Sequence, residues 1–291
     1  DIHQIGWENV VHQLLYSPLV TFSEDMSTLN PCFAESYTES EDGKEITFVL
    51  PEDAKFSNGD ALDAEAVKAS FERMKEISQY SGDIEAITDI EVIDERTFKF
   101  ILSEPAPYMY ASLASTYGGL VDVAAAEEMG DDEFNRAAVT NGPFMVKEWK
   151  AGSEIVLEKN PNFVTSNPEV ENQGVLNFDQ VIVRFIPDEF TRVSELEAGN
   201  VDIAYDIPTS SVKSITENDS LEAYFYEQAG STYMMCQTVD APLNDQKVRE
   251  AINVGIDREA LASALDDQVA PLYGFISKAQ TGYSADKEAE Y

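Results

Sequence analysis

Residues 141–163 read NGPFMVKEWKAGSEIVLEKNPNF, and this stretch predicts a β-hairpin followed by a linker. The hairpin covers residues 144–158 and turns at Ala151-Gly152, because glycine accepts the positive φ that tight turns require. Trp149 then lies on the inner edge of the hairpin. Residues that break regular structure follow: Pro161, Asn162, Asn167, Pro168, Asn172 and Gly174. This composition is typical of a linker and predicts a boundary near residue 167.

Helix and strand signals alternate on both sides of this hairpin. Before it, the pattern predicts helices at 8–16 and from Asp63 onward, strands at 19–22 and 46–50, and a hairpin at 90–102. After it, the pattern predicts strands at 181–186 and 201–205, a helix between them, and helices at 248–254 and 258–265. The helix between the two strands has Asp188 as its N-cap and Gly199 at its end. Its inward-facing residues are Phe190, Val193 and Leu196. The order predicts an α/β or α+β architecture with a βαβ unit.

The charge of the chain is strongly acidic, and this excludes several classes of partner. The 291 residues include 55 Asp and Glu against 19 Lys and Arg, for a net charge of −36. Such a surface repels nucleic-acid phosphates and anionic headgroups, so we expect no nucleic-acid or bare membrane partner. No apolar run approaches the roughly 18 residues that cross a bilayer.

Catalytic and metal-binding motifs are missing from the sequence. Its two histidines, His3 and His12, lie near the N-terminus, and His12 falls within a predicted helix. No zinc spacing or phosphate-binding loop is present. The turn at 40–43 is not a calcium loop, because the twelfth position is Val49 where a glutamate is required. The residues therefore favour binding over catalysis, with no catalytic residue, metal or cofactor. Cys32 and Cys236 could form one disulfide or remain two thiols.

Four collinear stretches resemble the extracytoplasmic solute-binding proteins of peptide- and nickel-type ABC transporters, which form family 5 of the bacterial solute-binding proteins. The first is LYSPLV at 15–20, similar to the family's Leu-Tyr-Glu-Gly-Leu-Val. The second runs from 34 to 67 and includes KFSNGD at 55–60. The third is the hairpin stretch at 141–163, with Thr140-Asn141 replacing the family's Gly-Thr. The fourth joins ELEAGNVDI at 195–203 to PLND at 242–245 and to 248–258.

This resemblance implies a bilobal, periplasmic-binding-protein type II-like α/β fold with an inserted subdomain in lobe one. The base of lobe one is expected at 1–35 and 168–236, and the insert at 36–167. A hinge strand is expected near 233–239, and residues 237–291 would form the hinge and the beginning of lobe two. The resemblance covers the first three-fifths of a family member, so we expect most of lobe two and a signal peptide to be missing from this sequence.

The same resemblance implies a non-enzymatic function. The chain would be the substrate-binding component of an ABC importer, which captures a peptide or peptide-like solute between two lobes and delivers it to the membrane permease. It would be an extracytoplasmic monomer, either periplasmic or a cell-surface lipoprotein. The alternatives are a nickel-chelate or opine carrier of the same family and a sensory ectodomain that reuses the fold.

Candidate ligand-binding residues follow from the matching positions. The family segment Glu-Gly-Leu lines the cleft, so the resemblance assigns this role to Ser17, Pro18 and Leu19. Here Pro18 has no N–H to donate, and Ser17 brings no charge with which to bind a peptide amine.

The other candidates are aromatic or amide side chains. Three tyrosines lie where relatives place an aromatic residue facing the ligand: Tyr108, Tyr110 and Tyr117. Core packing is the alternative for each of them, and Tyr117 is preferred because Gly118-Gly119 would leave room beside its ring. Asn141 is a candidate that could also be a simple turn residue. Tyr233 and Gln237 are candidates on the expected hinge strand.

The net charge leads to a first prediction, which concerns salt. Raising NaCl from about 10 mM to about 500 mM shortens the Debye length from roughly 30 Å to under 5 Å and screens self-repulsion. We therefore expect the melting temperature, followed by circular dichroism, to rise over this range. A flat or falling melting temperature would mean that the acidic side chains are locally paired or too widely spaced to repel.

Overall fold

The computed structural model of this chain describes residues 5–24, 27–172, 176–225, 230–265, 269–278, 280 and 282–288, with side chains from residue 10 onward. The chain divides into two compact units, a first unit that ends at Phe185 and a second that begins at Ile186. None of the helices in the described ranges combines the length and apolar character needed to span a membrane.

The first unit contains fourteen helices and strands among its described residues. They are α1 (Ile5–Leu15), β1 (Val20–Phe22), β2 (Leu29–Pro31), β3 (Ser36–Glu39), β4 (Glu45–Val49), α2 (Ala64–Ile77), β5 (Ile87–Val92), β6 (Thr97–Leu102), α3 (Met109–Leu113), α4 (Val123–Met129), α5 (Asp131–Phe134), β7 (Phe144–Lys150), β8 (Glu154–Lys159) and β9 (Gln180–Arg184). Two short 3₁₀ helices lie at Ser81–Ile84 and Thr116–Gly118. The strands form an antiparallel β1-β2 pair, a sheet of order β3-β4-β6-β5 and a sheet of order β7-β8-β9.

The larger core lies between the four-stranded sheet and α2. The rings of Phe48 and Phe98 stack with centroids 5.3 Å apart on neighbouring strands. Phe71 of α2 packs edge-on against Phe100 at 4.9 Å, which joins the helix to the sheet. Asp63 caps α2, because its side chain accepts a hydrogen bond from the Ala66 N–H at 2.9 Å. The predictions of a strand near 46–50, a capped helix after Asp63 and a hairpin at 90–102 are confirmed.

The smaller core lies between α1 and the three-stranded sheet. Its buried residues are Val11, Leu15, Phe144, Ile155 and Leu157. The predicted hairpin at 144–158 is confirmed, and Gly152 takes the positive φ of +74° that its turn requires. β9 completes this sheet by pairing with β8. The sheet thus joins strands from the predicted insert to a strand from the predicted base, and the domain boundaries stay a prediction.

The second unit is helical among its described residues. Its helices are α6 (Glu189–Glu197), α7 (Thr209–Thr216), α8 (Gln246–Gly255), α9 (Arg258–Ala264) and α10 (Ala285–Glu288). The predicted N-cap Asp188 is confirmed, and Gly199 follows α6 with a φ of +72°. The predicted helices near 248–254 and 258–265 are also confirmed.

Two sequence predictions for the second unit are wrong. Residues 201–205 form no strand, so the βαβ unit is not formed, and residues 233–239 form no strand either. A strand needs a neighbour for its backbone N–H and C=O groups, and the described residues of this unit provide none. Phe190, predicted to face inward, is 55% exposed. Within this unit, the buried residue of α6 is Val193. The assignment of a hinge stays a prediction.

Hydrogen bonds, more than apolar packing, organise the described part of the second unit. Its buried apolar residues are Val193, Ile215 and Ala262. The guanidinium of Arg192 donates to the carbonyl oxygens of Ile186 at 2.8 Å, Tyr205 at 3.1 Å and Asp206 at 2.8 Å. One side chain on α6 therefore holds both the entry to the helix and the loop that follows it.

The contrast between the two units gives a second prediction. Phe98→Ala deletes a fully buried ring, and the lost contacts and the cavity should lower the free energy of unfolding of the first unit by about 3–5 kcal/mol. The matched control Phe225→Ala removes a ring that is 65% exposed and should change stability by about 0.5 kcal/mol or less. Urea denaturation measures both values. Equal losses in the two variants would contradict this account of the core.

Candidate functional site

The segment that connects α1 to β1 lies against the turn that enters β7. The N–H of Ser17 donates to Oδ1 of Asn141 at 3.1 Å, and Nδ2 of Asn141 donates to the carbonyl oxygen of Ser17 at 2.8 Å. Ser17 is 4% exposed and Asn141 is 1% exposed, so both bonds are shielded from water. We call this pair of hydrogen bonds the Asn141 clamp.

Gly142 allows the two backbones to approach this closely. Its N–H donates to the carbonyl oxygen of Leu15 at 2.8 Å. A Cβ at Gly142 would lie 2.2 Å from the carbonyl carbon of Leu15, which no side chain could tolerate. On its other side, the carbonyl of Gly142 accepts a bond from Nδ2 of the buried Asn160 at 2.9 Å. The glycine of the Asn-Gly-Pro-Phe motif is therefore required by the contact with Leu15.

The opposite side of the same segment pairs with residues 32–34. The N–H of Phe33 donates to the carbonyl of Pro18 at 2.9 Å. The carbonyl of Leu19 accepts from the N–H groups of Cys32 at 3.0 Å and Ala34 at 3.1 Å. Leu19 is fully buried, whereas Pro18 is partly exposed. Of these two candidates, Pro18 is the one whose side chain reaches the surface.

Cys32 lies at the base of this segment. Its Sγ is 3.6 Å from Oγ of Ser17. Burial raises the pKa of the Cys32 thiol, which outweighs the lowering effect of hydrogen bonds from Ser17 and Thr165 and keeps the sulfur neutral. Cys32 of the first unit and Cys236 of the second are both free cysteines in this structure.

Tyr16 packs beside the clamp. Its ring lies against Gly119, where a Cβ would approach the ring to 2.6 Å. His12, one turn earlier on α1, meets the ring edge-on with centroids 5.8 Å apart. Burial raises the pKa of Tyr16 to about 12, so the phenol stays protonated at physiological pH.

The structure gives a different reason for the glycines at 118 and 119 from the one that the sequence predicted. Gly118 lies against the Leu113 carbonyl oxygen, which would be 2.8 Å from an added Cβ, and Gly119 makes room for Tyr16. Each glycine is explained by a backbone or ring that packs onto it. The expectation that they leave open space beside Tyr117 is replaced by this packing.

Tyr117 forms half of an aromatic pair that the motifs do not reveal. Its ring packs in a tilted arrangement against Tyr80, with ring centroids 4.2 Å apart and an angle of 31° between the rings, and both residues are partly exposed. Oγ of Ser112 donates to Asp83 at 2.9 Å and ties the turn after Tyr80 to α3. Tyr80 was missed because it lies outside the four stretches, and only its aromatic character after the end of α2 marks it.

The other two candidate tyrosines of the first unit, Tyr108 and Tyr110, lie just before and within α3. Tyr108, just before α3, is 51% exposed. The hydroxyl of Tyr110 donates to Oε2 of Glu39 at 2.7 Å, and its ring tilts against Tyr37 at 6.4 Å. Burial and the neighbouring Glu39 carboxylate raise the pKa of Tyr110. Tyr110 thus belongs to the edge of the four-stranded sheet.

The last two candidates lie in the second unit. Tyr233 is 72% exposed. Oε1 of Gln237 accepts hydrogen bonds from the N–H groups of Val239 and Asp240, and its Nε2 donates to Oδ2 of Asp240 at 2.9 Å. The Gln237 amide is therefore engaged in a local turn.

Within the part of the chain that the structure describes, no group of three histidine, cysteine or acidic side chains could hold a metal ion. The structure brings together Ser17, Pro18, Leu19 and Asn141, with Tyr16 linking them to the loop that carries Tyr117. This arrangement offers a rigid main-chain segment, a proline ring and a tyrosine pair. Such a surface suits contact with a small molecule.

The close approach at Gly142 gives a third prediction. Gly142→Ala must push the β7 turn away from Leu15 and should cost about 3 kcal/mol or more of stability. The control Gly82→Ala adds the same methyl group where no atom lies within 4 Å, and it should be near neutral. Thermal denaturation compares the two. Similar melting temperatures would show that the backbones do not touch at Gly142.

Comparison with known proteins bears on the family and the fold of the chain. The model of the family "Bacterial extracellular solute-binding proteins, family 5 Middle" matches residues 28–291. The probable D,D-dipeptide-binding periplasmic protein DdpA of Escherichia coli K12 is 33% identical over 261 residues, 87% of this chain and 48% of the relative. The nickel-binding periplasmic protein of the same strain is 26% identical over 257 residues, 85% of this chain and 47% of the relative.

A solved structure supports the same conclusion. AgaA from Agrobacterium strain R10, in complex with agropinic acid, aligns with a TM-score of 0.78 and 29% identity over 97% of this chain and 56% of that chain. This likeness confirms the predicted periplasmic-binding-protein type of α/β fold. The chain spans about half the length of the curated relatives that it matches. It belongs to family 5 of the bacterial extracellular solute-binding proteins.

Proposed function

We propose that this chain carries one ligand-contacting wall of a substrate-binding component of an ABC importer, with a peptide or peptide-like molecule as its solute. The observation that carries the proposal is the family match over residues 28–291. Relatives are named for binding a D,D-dipeptide, glutathione and oligopeptides, which share amide bonds and a small size. The protein would be a receptor and not an enzyme, and it would bind and release its solute unchanged.

The proposed mechanism is closure of two lobes around the solute. Binding would stabilise the closed state, and the closed protein would then deliver the solute to the membrane permease. We propose an extracytoplasmic location, in the periplasm or on the cell surface as a lipoprotein, and a monomeric state. The net charge of −36 favours neutral or cationic solutes over anionic ones.

The wall that we propose consists of Pro18 and Tyr117. Pro18 presents an apolar ring on a segment that is hydrogen-bonded on both sides. Tyr117, whose ring packs against Tyr80, would contribute an aromatic ring and a hydroxyl group. Such rigid side chains bind with little loss of conformational entropy. Ser17 and Leu19 are buried and would act by holding this wall in place.

A nickel-chelate or opine carrier is the second candidate. It is favoured by the 26% identity to the nickel-binding periplasmic protein and by the likeness to AgaA, whose structure contains agropinic acid. A peptide carrier and a chelate carrier differ in the solute that they retain. A panel of D-Ala-D-Ala, glutathione, Ni(L-His)₂ and agropinic acid therefore distinguishes them.

Calorimetry with this panel is the test of the function and our fourth prediction. A longer polypeptide that contains this chain and reaches the length of its relatives should bind one panel member with a Kd of about 1 µM or tighter, or about −8 kcal/mol. The 291-residue chain alone should bind weakly or not at all, because the described residues of its second unit bury only three apolar side chains and offer little packed surface. Failure of the longer polypeptide to bind any member would contradict the proposal.

The fifth prediction concerns the wall itself. In the longer polypeptide, Tyr117→Ala should weaken binding by about tenfold, because the solute loses an aromatic face, whereas Tyr117→Phe should keep most of the affinity. Tyr224→Ala is the matched control, since Tyr224 is 80% exposed in the second unit. An affinity of Tyr117→Ala within twofold of the unmodified protein would remove Tyr117 from the wall.

A further inference from the structure

Most main-chain polar groups of residues 15–19 are hydrogen-bonded within the protein and are not offered to a ligand. The carbonyl of Leu15 accepts from Gly142, and both polar groups of the Ser17 main chain are bonded to the Asn141 side chain. The carbonyls of Pro18 and Leu19 accept from the N–H groups of residues 32–34. Pro18 itself has no N–H. Residues 17 and 18 therefore offer no main-chain donor to a ligand.

The Asn141 side chain is the unusual member of this pattern. A carboxamide carries one carbonyl acceptor and N–H donors in a plane, as a peptide group does. Asn141 uses both functions on one residue, Ser17, in the way that a neighbouring strand exchanges two hydrogen bonds in an antiparallel pair. The adjacent bond from Gly142 to Leu15 continues the same pairing with main-chain atoms.

We propose that Asn141 is a positioning residue: its side chain takes the place of a strand's peptide group and closes the Ser17 main chain to the solute. A solute then meets this segment through the ring of Pro18 and not through main-chain hydrogen bonds. The contact between the solute and Pro18 rests on the proposed function, whereas the pairing of Asn141 with Ser17 concerns the chain without any solute. Asn141 therefore holds the wall in place instead of touching the ligand.

Asn141→Asp tests the clamp with almost no change of shape. A carboxylate keeps the acceptor for the Ser17 N–H but loses the donor to the Ser17 carbonyl, and it places two oxygen atoms against each other in a buried site. A protonated carboxyl group restores a donor. Burial and this repulsion favour the neutral form, so the introduced Asp should have a pKa above its usual value of about 3.9.

The sign of the pH effect follows from this shift. A group whose pKa is raised in the folded state stabilises the fold below its unfolded-state pKa, and this stability is lost as pH rises through the folded-state pKa. The defect of Asn141→Asp should therefore be largest at pH 7.5 and smaller at pH 5. The titratable neighbours include Tyr16 and Cys32, whose raised pKa values keep them neutral at both pH values. Each comparison is made with the unmodified chain at the same pH.

Asn162→Asp is the matched control. Nδ2 of Asn162 also donates to a main-chain carbonyl, that of Phe56 at 3.0 Å, in the same unit. This substitution makes the same chemical change without touching residues 15–19. Any effect that it shares with Asn141→Asp is a general effect of an added carboxylate.

Amide hydrogen exchange of Ser17, measured by NMR on the 291-residue chain without solute, decides the proposal. Repulsion between the introduced carboxylate and the Ser17 carbonyl should open the clamp at pH 7.5, even though the acceptor for the Ser17 N–H is kept. We therefore expect Asn141→Asp to lower the protection of the Ser17 amide by about tenfold or more at pH 7.5, with partial recovery at pH 5, and Asn162→Asp to leave it within twofold. If Asn141→Asp itself unfolds the chain at pH 7.5, refolding at pH 5 with Ser17 protected again supports the clamp equally. Ser17 protection in Asn141→Asp that matches Asn162→Asp at both pH values would overturn the proposal.

A measurement of solute binding separates this proposal from the proposed function. With D-Ala-D-Ala as the probe and the longer polypeptide, we expect Asn141→Asp to bind at least fivefold more weakly than Asn162→Asp at pH 7.5. Absence of binding by the unmodified polypeptide would count against the peptide solute alone, because the exchange result still decides the clamp. Binding by Asn141→Asp as tight as by the unmodified polypeptide, with Ser17 unprotected, would overturn the positioning role.

Discussion

The close approach of Gly142 to Leu15 is the constraint on which the candidate wall depends. Two backbones can lie this near each other only where one residue lacks a Cβ, and here that residue lies two positions before the first residue of β7. The contact joins α1 to the three-stranded sheet and sets the path of the chain into Pro18. The Asn141 clamp, the ring of Tyr16 and the pairing with residues 32–34 all follow from that path.

The two units obtain their order from different interactions. The first unit has two apolar cores, and its wall residues are attached to both through α1, α3 and the β7 turn. The described part of the second unit relies on caps such as Asp188 and on the carbonyl contacts of Arg192. A ligand-binding wall benefits from a rigid first unit, because preorganised side chains lose little conformational entropy when they bind.

Local structure could be predicted where the chemistry of a single residue determines it. Asp63 and Asp188 predict the start of a helix, because their side chains can accept a hydrogen bond from a main-chain N–H. Gly152 predicts a turn, because glycine accepts a positive φ. The strand at 201–205 was predicted wrongly, because an apolar, β-branched sequence does not reveal whether a partner strand is present. The Tyr80–Tyr117 pair could not be predicted, since it depends on how the loops around α3 pack.

The sequence predicted candidate wall residues, which stay a prediction, and it did not predict how these residues divide their roles. Asn141 was expected to face a ligand or to serve a turn, and the sequence could not show that Ser17 takes both ends of its amide. A crystal structure of the solute-loaded longer polypeptide tests this division most directly. The account predicts both hydrogen bonds between Asn141 and Ser17 intact, with the solute in contact with Pro18 and Tyr117. A solute atom hydrogen-bonded to the Ser17 N–H or to the Asn141 amide would contradict it.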